Sequence, residues 1–545
     1  MQEGSKFIKG ALVLTVAGVI VKILGAVYRI PLYGILGDVG MGLFMAVYPV
    51  YSMMLSISTA GVPVAVSKLV AERLARGNYK GAHQVFRVAL GLMTASGLIV
   101  TGVLLLGAKY YTTNVLKTPG ALYPLVAIAP SITFFAVKSA LRGFFQGQQS
   151  MLPTALSQVV EQVVRVGTIF VFSSLLIKYS IELGAAGAAL GTVTGAMAAL
   201  ILLVIIYYKR RPILLNAADT GHNSLTSTKR VFKEILALAL PITIGSIVVP
   251  LVNMVDSTLI LPRLQAGGFS ETQALALYGD LSGAAMPLVN VPTIFTLALS
   301  TSLVPAISNA FAHNNKGQIQ KLSSLAMRIG MMIGLPAALG LFLLAEPISI
   351  LLYKNVDVAR SLAVVAFAVI FISLNQTTAP VLQGLGKTYL PVSHMFTGLV
   401  IKVVINYLLT AIPSINILGP ALGTIVAFAV ASLLNYRSIV KFAGGGISLM
   451  DTFVKPALNS IAMGVAVFIL YPPIYRGVKT LVGAFTDSER LLIGCAVIIV
   501  IILALAVYGA ASLVTGSITR TELELVPGVG GKLANFLTRL KVLRS

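Results

Sequence analysis

Residues 7–39 read FIKGALVLTVAGVIVKILGAVYRIPLYGILGDV, an apolar stretch with Lys22 and Arg29 inside it and Asp38 at its far end. It is long enough to cross a bilayer, since about 20 apolar residues suffice. A cation near the bilayer centre costs about 2.5–3.5 kcal/mol on insertion scales. Lys22 and Arg29 are seven residues apart, so a helix sets both on one face. Snorkelling to the interface relieves Arg29, just before Pro31, more readily than Lys22, which lies deep in the span. A face with two cations is expected to look at other helices or at water inside the protein. The spacing therefore favours a functional or internally paired placement for both.

The rest of the chain is of the same kind. Its 545 residues are 57% hydrophobic and only 10% charged, against about 25% charged in soluble domains. This is the composition of a polytopic, all-α membrane protein. In a soluble chain a formal charge of +23 would point to nucleic acid. In a membrane chain its source is the excess of Lys and Arg in cytoplasmic loops, so no nucleic-acid partner is expected. A single cysteine, Cys495 in an apolar run, excludes a disulfide framework. The first apolar run is too long for a signal-peptide core, and no cleavable signal is expected. Trp is absent, so any interfacial aromatic belt is made of Tyr and Phe.

Hydropathy predicts about fourteen spans, near 7–36, 40–70, 85–107, 121–145, 152–177, 184–208, 232–262, 276–310, 322–345, 359–383, 391–412, 418–440, 453–474 and 490–515. Several contain proline, among them Pro31, Pro49, Pro241, Pro250, Pro292 and Pro336. Proline frees a helix carbonyl, which a membrane tolerates where protein or water satisfies it. With the N-terminus in the cytoplasm, the inner loops hold Arg73, Arg76, Lys80, Arg142, Lys209, Arg210, Arg211, Lys229, Arg230, Lys316, Lys387, Arg437, Lys441 and the tail cations. The outer loops hold far fewer, such as Lys109, Lys117, Lys178, Arg263, Lys354 and Lys479. That bias, with an even number of spans, predicts both termini in the cytoplasm.

The chain also repeats itself. Gly37-Asp38 recurs as Gly279-Asp280, and at the same offset Ser58-Thr59 and Val62-Pro63 recur as Ser300-Thr301 and Val304-Pro305. Farther on, Gln146-Gly147 matches Gln383-Gly384, Arg165 faces Lys402, and Leu190-Gly191-Thr192 matches Leu422-Gly423-Thr424. The offset shrinks slowly, as small loop deletions produce. The expected organisation is a six-span lobe at 1–208, a cytoplasmic linker at 209–229, a second six-span lobe at 230–442, two further spans within 443–516, and a basic cytoplasmic tail at 517–545. Lobes of like orientation predict a pseudo-two-fold axis along the membrane normal and a binding site between them.

Candidate intramembrane charges are Lys22, Arg29, Lys68, Lys138, Glu161, Arg165, Asp256 and Lys402, with Asp38 and Asp280 at repeat-equivalent helix starts. Glu161 and Arg165 stand at i, i+4 and are expected to pair. Lys68 and Lys138 lie near the cytoplasmic ends of their spans, within snorkelling range. What remains is an excess of positive charge, mostly in the first lobe, which attracts an anion. Arg by its fork and Lys as a point charge are the usual phosphate partners. The substrate-binding candidates are thus Lys22, Arg29, Asp38, Arg165 and Asp280. The second lobe offers Asp256, Lys402, Asn406 and Thr424. Asp256 could hold Na+ or a proton, since oxygen ligands suit hard cations, or it could pair with Lys402.

Other signals carry little. Gly386-Lys387-Thr388 lacks the earlier glycine of a phosphate loop, because position 381 is Val381. The tail stretch Val526-Pro527-Gly528-Val529-Gly530 reads as part of a segment lying on anionic lipid. His83, His222, His313 and His394 have no metal-ligand spacing, and no nucleophile–base pair or catalytic carboxylate pair is present. Neither an enzyme nor a bound cofactor is expected.

Lys22-Ile23-Leu24-Gly25, the Gly37-Asp38 turn and Gly61-Val62-Pro63-Val64-Ala65-Val66-Ser67-Lys68-Leu69-Val70-Ala71-Glu72 carry a resemblance. Together they resemble the stage V sporulation protein B/YtgP-like polysaccharide exporters of the MOP superfamily, beside the MurJ-type lipid II flippases and the MATE antiporters. The resemblance covers essentially the whole chain. It implies a two-lobed, fourteen-helix transporter working by alternating access in the bacterial cytoplasmic membrane as a monomer. It implies an undecaprenyl-pyrophosphate-linked glycan as cargo, lipid II or a related precursor, whose pyrophosphate is held by cavity cations. Lys22 stands where the flippases have Arg, and Arg29 is close to another such position. Asp256 corresponds to an Asp of their sodium site, with Asn406 and Thr424 matching less closely, so Na+, H+ or the membrane potential would drive transport. Two departures stand out: Leu281 where many lipid II flippases have a cavity Arg, and Lys402 near the sodium site, where its ammonium could replace the ion. The alternative is a MATE-like cation-coupled multidrug or metabolite antiporter, against which the cation excess argues.

Overall fold

The computed structural model of the chain describes residues 17–18, 20–218, 225–444, 448–483 and 488–517. The tail segment singled out above lies outside the described residues. Among the described residues there is no strand. The chain packs as two compact units, Met1–Gly283 with Thr410–Asn416, and Ala284–Leu409 with Ile417–Ser545.

The first unit holds helical residues 20–27, then α1 (Arg29–Thr59), α2 (Val62–Ala75), α3 (Tyr79–Tyr110), α4 (Leu122–Ile128), α5 (Ser131–Gly147), α6 (Leu152–Leu176), α7 (Ile181–Ala218), α8 (Thr228–Ala266) and α9 (Glu271–Tyr278). The second holds α10 (Met286–Ala312), α11 (Lys316–Leu343), α12 (Ala345–Tyr353), α13 (Asp357–Val365), α14 (Ala368–Gly384), α15 (Tyr389–Leu409), α16 (Leu418–Ala443), α17 (Lys455–Val482) and α18 (Glu489–Val514).

Among the described residues, thirteen continuous helical stretches are long and apolar enough to cross a membrane. The first, Ile20–Ala75, runs 56 residues. At 1.5 Å per residue it would be about 84 Å long, far more than one crossing needs. Gly37 resolves this. Its φ of 69° and ψ of −173° break the helix inside α1, at the junction between the expected spans 7–36 and 40–70. Only glycine takes such a conformation without a Cβ penalty. Each of the other expected spans meets one continuous helical stretch, with ends that differ by a few residues.

Two local features were not expected. The span placed at 276 begins at Glu271, because Ser270 and Gln273 form a capping box that satisfies the first free N–H groups. Helix α12 is short and lies between the expected spans 322–345 and 359–383. The Arg490 guanidinium of α18 stabilises its end, donating to the Leu351 and Leu352 carbonyls at 2.5 and 3.3 Å.

Small residues set the packing, as expected where helices associate without a strong hydrophobic drive. In the first unit, Gly187, Gly191 and Gly195 form a ridge on α7 that meets Phe172, Ile169 and Arg165 of α6 with no room for a Cβ. Helix α5 lies against α2 through Gly143 and Gly147. Below them, Val66, Val85, Phe86, Phe144, Phe145, Val231 and Ile235 form one buried cluster joining α2, α3, α5 and α8. In the second unit α14 is central. Gly330 and Gly334 of α11 fit against its Thr377 and Ser373, and Ser432 of α16 donates to the Phe371 carbonyl at 2.9 Å. The α17–α18 pair is tied by Asn459, whose Nδ2 donates to Ser512, Thr515 and Ser517 at 2.9–3.2 Å.

Candidate functional site

Residues 20–39 lie in the first unit. Among the described residues of helix 20–27, Ile20, Ile23 and Val27 are exposed large apolar side chains, and at 3.6 residues per turn they form one stripe. Lys22 and Arg29 lie roughly 130–150° round the helix from the centre of that stripe. Lys22 is exposed and Arg29 half-buried. The Arg29 Nε is buried with no hydrogen-bond partner. Among the described residues neither side chain makes an ion pair. The apolar stripe suits acyl chains, and the two cations point elsewhere.

Gly25, between Lys22 and Arg29 on this face, lies beside Gln162 of α6, whose Nε2 is 3.6 Å from the position a Cβ would occupy. One turn along α6, Arg165 comes within electrostatic reach of Tyr28, Tyr48 and Tyr51. Its Nε and Nη2 donate to the Thr192 hydroxyl of α7 at 3.2 and 3.0 Å. The wall is aromatic as well as cationic: Tyr48 and Tyr51 have ring centroids 5.7 Å apart, and the Tyr51 hydroxyl accepts from Ser131 at 3.0 Å.

The expected Glu161–Arg165 pair does not form; Glu161 belongs to two other cations. Lys138 Nζ of α5 lies 2.5 Å and Arg142 Nη2 3.0 Å from its Oε2. Arg142 Nε also donates to Ser157 at 3.0 Å. Lys138 does not snorkel: its side chain is 0% exposed and its ammonium sits 3.5 Å from the Phe135 ring centroid. The physical reason is that helix packing, not sequence spacing, decides which cation reaches a carboxylate. Lys138 and Arg142 stand at i, i+4 on the face of α5 turned to α6. Lys68 is exposed and lies 3.8 Å from Glu72.

The repeat-matched dipeptides meet inside the first unit. A Cβ on Gly279 would overlap the Asp38 carbonyl, and one on Gly42 would overlap that of Leu275, so α1 and α9 approach backbone to backbone. Asp280 is 2% exposed and accepts from the Tyr33 hydroxyl at 2.5 Å. It lies in the first turn of a π-helical segment, Gly279–Ala285; such segments recur at functional sites. Asp38 is half-buried, and its Oδ1 accepts from the Val39 N–H at 2.7 Å.

Asp256 is half-buried on α8, in the first unit. Lys402, Asn406 and Thr424 are 6%, 1% and 7% exposed in the second. Gly423 of α16 lets α15 pack close, with Asn406 Oδ1 and Lys402 Cγ against it. The Thr424 hydroxyl donates back to the Pro420 carbonyl at 2.9 Å.

Sequence reasoning missed Tyr33, Gln162, Thr192 and the Glu161 role of Arg142. The signal for Arg142 was its i, i+4 spacing from Lys138. For Thr192 it was the adjacent small-residue ridge on α7.

The chain is similar to known proteins over its full length. A family profile described as polysaccharide biosynthesis protein matches residues 7–311, and one described as MatE matches 241–408. Stage V sporulation protein B of Bacillus subtilis (strain 168) is 30% identical, over 96% of this chain and 98% of that protein. Lipid II flippase MurJ of the same organism is 29% identical, over 94% of this chain and 95% of that protein. Among solved structures, a lipid II flippase MurJ in an inward closed conformation superposes with a TM-score of 0.65 at 16% identity, over 92% of this chain and 98% of the other. An inward-facing multidrug resistance MATE transporter of the MOP superfamily gives 0.63 at 14% identity, over 78% and 98%. The expected all-α, many-spanning transporter fold is the one these structures share. With more than half of its length matched by one family profile and a full-length relative at 30% identity, the chain belongs to the polysaccharide biosynthesis protein family, the family of stage V sporulation protein B.

Proposed function

We propose that the protein is a flippase that carries an anionic, pyrophosphate-linked lipid glycan across the bacterial cytoplasmic membrane by alternating access, without covalent chemistry. The observation that carries this reading is the Lys22–Arg29 face, turned away from the apolar stripe and without an ion pair among the described residues. A charged face in a membrane is costly unless it does something. Two cations seven residues apart on one helix span about 10 Å, a length that suits a diphosphate and its first sugar. Arg165, held by Thr192, is the third proposed contact, and Asp38 and Asp280 are proposed to contact the cargo at the α1–α9 approach. The full-length likeness to a lipid II flippase makes lipid II or a related undecaprenyl-pyrophosphate precursor the cargo class to test first. Asp256, with Lys402, Asn406 and Thr424, is the proposed coupling set, driven by Na+, H+ or the membrane potential.

The reading places both termini in the cytoplasm, on the charge bias of the loops, and takes the working form to be a monomer. A multidrug antiporter shares the fold. It would need anionic side chains for cationic cargo, and the Lys22–Arg29–Arg165 wall has the opposite sign.

The test is reconstitution of the purified chain in liposomes loaded with lipid II on one leaflet. The head group should become accessible on the other leaflet faster than in protein-free vesicles. Equal rates would contradict the proposal.

A further inference from the structure

A cavity of about 600 Å3 opens in the first unit between the last turns of α2 and the first turns of α8. Its charged lining is Lys68, Glu72, Arg73, Arg76, Arg230 and Glu234. This volume lies within the roughly 300–1,000 Å3 usual for small-molecule sites. None of the cations proposed above to grip the cargo lines this cavity.

Its walls are fastened by hydrogen bonds. The Gln84 side-chain amide donates to the Thr226 carbonyl at 2.5 Å, and its Oε1 accepts from the Thr226 N–H at 3.2 Å. Asn78 caps α3 by accepting from the Gly81 N–H at 2.8 Å. Arg73 donates to the Gly81 carbonyl at 3.2 Å and to Glu234 Oε2 at 3.0 Å. Chain entry into α8 and the α2–α3 turn are thereby held in one geometry.

The charges in this frame do not balance. Two carboxylates serve four cations. Glu234 is shared by Arg73 at 3.0 Å and Arg230 at 3.3 Å. Glu72 stands 3.8 Å from Lys68, with both side chains about half exposed, a distance and setting that contribute little. Arg76 makes no hydrogen bond or ion pair to a side chain among the described residues. The cavity thus has a back wall, Arg73–Glu234–Arg230, in which one carboxylate meets two cations, and two further cations, Arg76 and Lys68, in its lining.

We propose that this cavity is a binding site for a phosphate-bearing headgroup. Guanidinium groups grip phosphate oxygens in a bidentate fork, and an ammonium adds a movable point charge. Arg76 supplies the fork, Lys68 the point charge, and Arg230 the third contact on its exposed side. The same chemistry would serve an anionic phospholipid or a free phosphate or pyrophosphate. The two sources are separated by experiment.

The full-length protein is placed in nanodiscs of phosphatidylcholine containing graded phosphatidylglycerol, and retained lipid is counted by native mass spectrometry. In parallel, inorganic pyrophosphate is titrated calorimetrically into protein in pure phosphatidylcholine discs. Lys68→Ala/Arg76→Ala leaves the Arg73–Glu234–Arg230 wall intact and should weaken binding about 25-fold, at about five-fold per cation removed near a membrane surface. Glu72→Gln removes a competing carboxylate and should strengthen binding by about five-fold. A fold defect cannot produce that opposite shift. Phosphatidylglycerol binding that Lys68→Ala/Arg76→Ala weakens, without pyrophosphate binding that the same variant weakens, assigns a lipid; pyrophosphate binding that the variant weakens assigns a soluble phosphate, whereas pyrophosphate binding it leaves unchanged belongs to the Lys22–Arg29 face and counts against this cavity. Failure to bind either probe, or variants that bind like the parent chain, would overturn the proposal.

Discussion

Removing Glu161 should do far more damage than removing either cation it serves. Lys138 is fully buried and Arg142 half-buried, and both depend on the same carboxylate oxygen at 2.5 and 3.0 Å. Glu161→Ala leaves Lys138 as an uncompensated buried charge, a change that typically costs about 3–5 kcal/mol. Lys138→Met leaves Glu161 still held by Arg142, and Met fills similar volume beside Phe135, so the cost should stay below about 1.5 kcal/mol. The double variant Lys138→Met/Glu161→Gln should recover most of the loss, because Arg142 keeps its bond to Ser157 at 3.0 Å. The chain has no Trp, and its one cysteine is already exposed. Intrinsic Trp fluorescence and thiol-unmasking dyes are therefore poor probes. The midpoint of heat-induced loss of the monodisperse peak in size-exclusion chromatography is the suitable measurement. The expected order of midpoints is parent, Lys138→Met, double variant, with Glu161→Ala far below. If Glu161→Ala matches the parent, or Lys138→Met is as harmful as Glu161→Ala, the shared-carboxylate account is wrong.

Three further outcomes follow from the same geometry. Gly42→Ala drives a Cβ into the Leu275 carbonyl and should cost about 1–3 kcal/mol by overpacking; an unchanged thermal midpoint would refute the close α1–α9 approach. Tyr33→Phe withdraws a donor from buried Asp280 and should cost about 1–3 kcal/mol, read by the same assay, with no loss arguing against that hydrogen bond. Asp256→Asn should flatten the response of transport to Na+, pH or membrane potential more than it weakens cargo binding. A response identical to that of the parent would remove Asp256 from the coupling set.

The spans were legible because about 20 apolar residues in a row have few other uses, and the first break falls between two of them, at Gly37. Helix α12 was not: nine residues give too little periodicity, and what stabilises its end is Arg490, far away in sequence. The common face of Lys22 and Arg29 could be read from a spacing of seven, since that relation lies within one helix. The partner of Glu161 could not, since it depends on how α5 lies against α6. Spacing within α6 suggested Arg165, but the glycine ridge of α7 instead brings Thr192 to Arg165. Relations inside one helix are written in the sequence, whereas relations between helices depend on small residues whose partners the sequence does not name.

The most direct test of the central claim is the rate at which the lipid II head group crosses proteoliposomes containing Lys22→Ala or Arg29→Ala at matched, correctly folded protein levels. Losing one charge-assisted contact to pyrophosphate is worth about 1.5–3 kcal/mol, so each variant should slow transport at limiting cargo about ten- to a hundredfold. Lys22→Arg should restore most of the rate. Parent-like transport by both alanine variants would contradict the claim that these two cations grip the cargo.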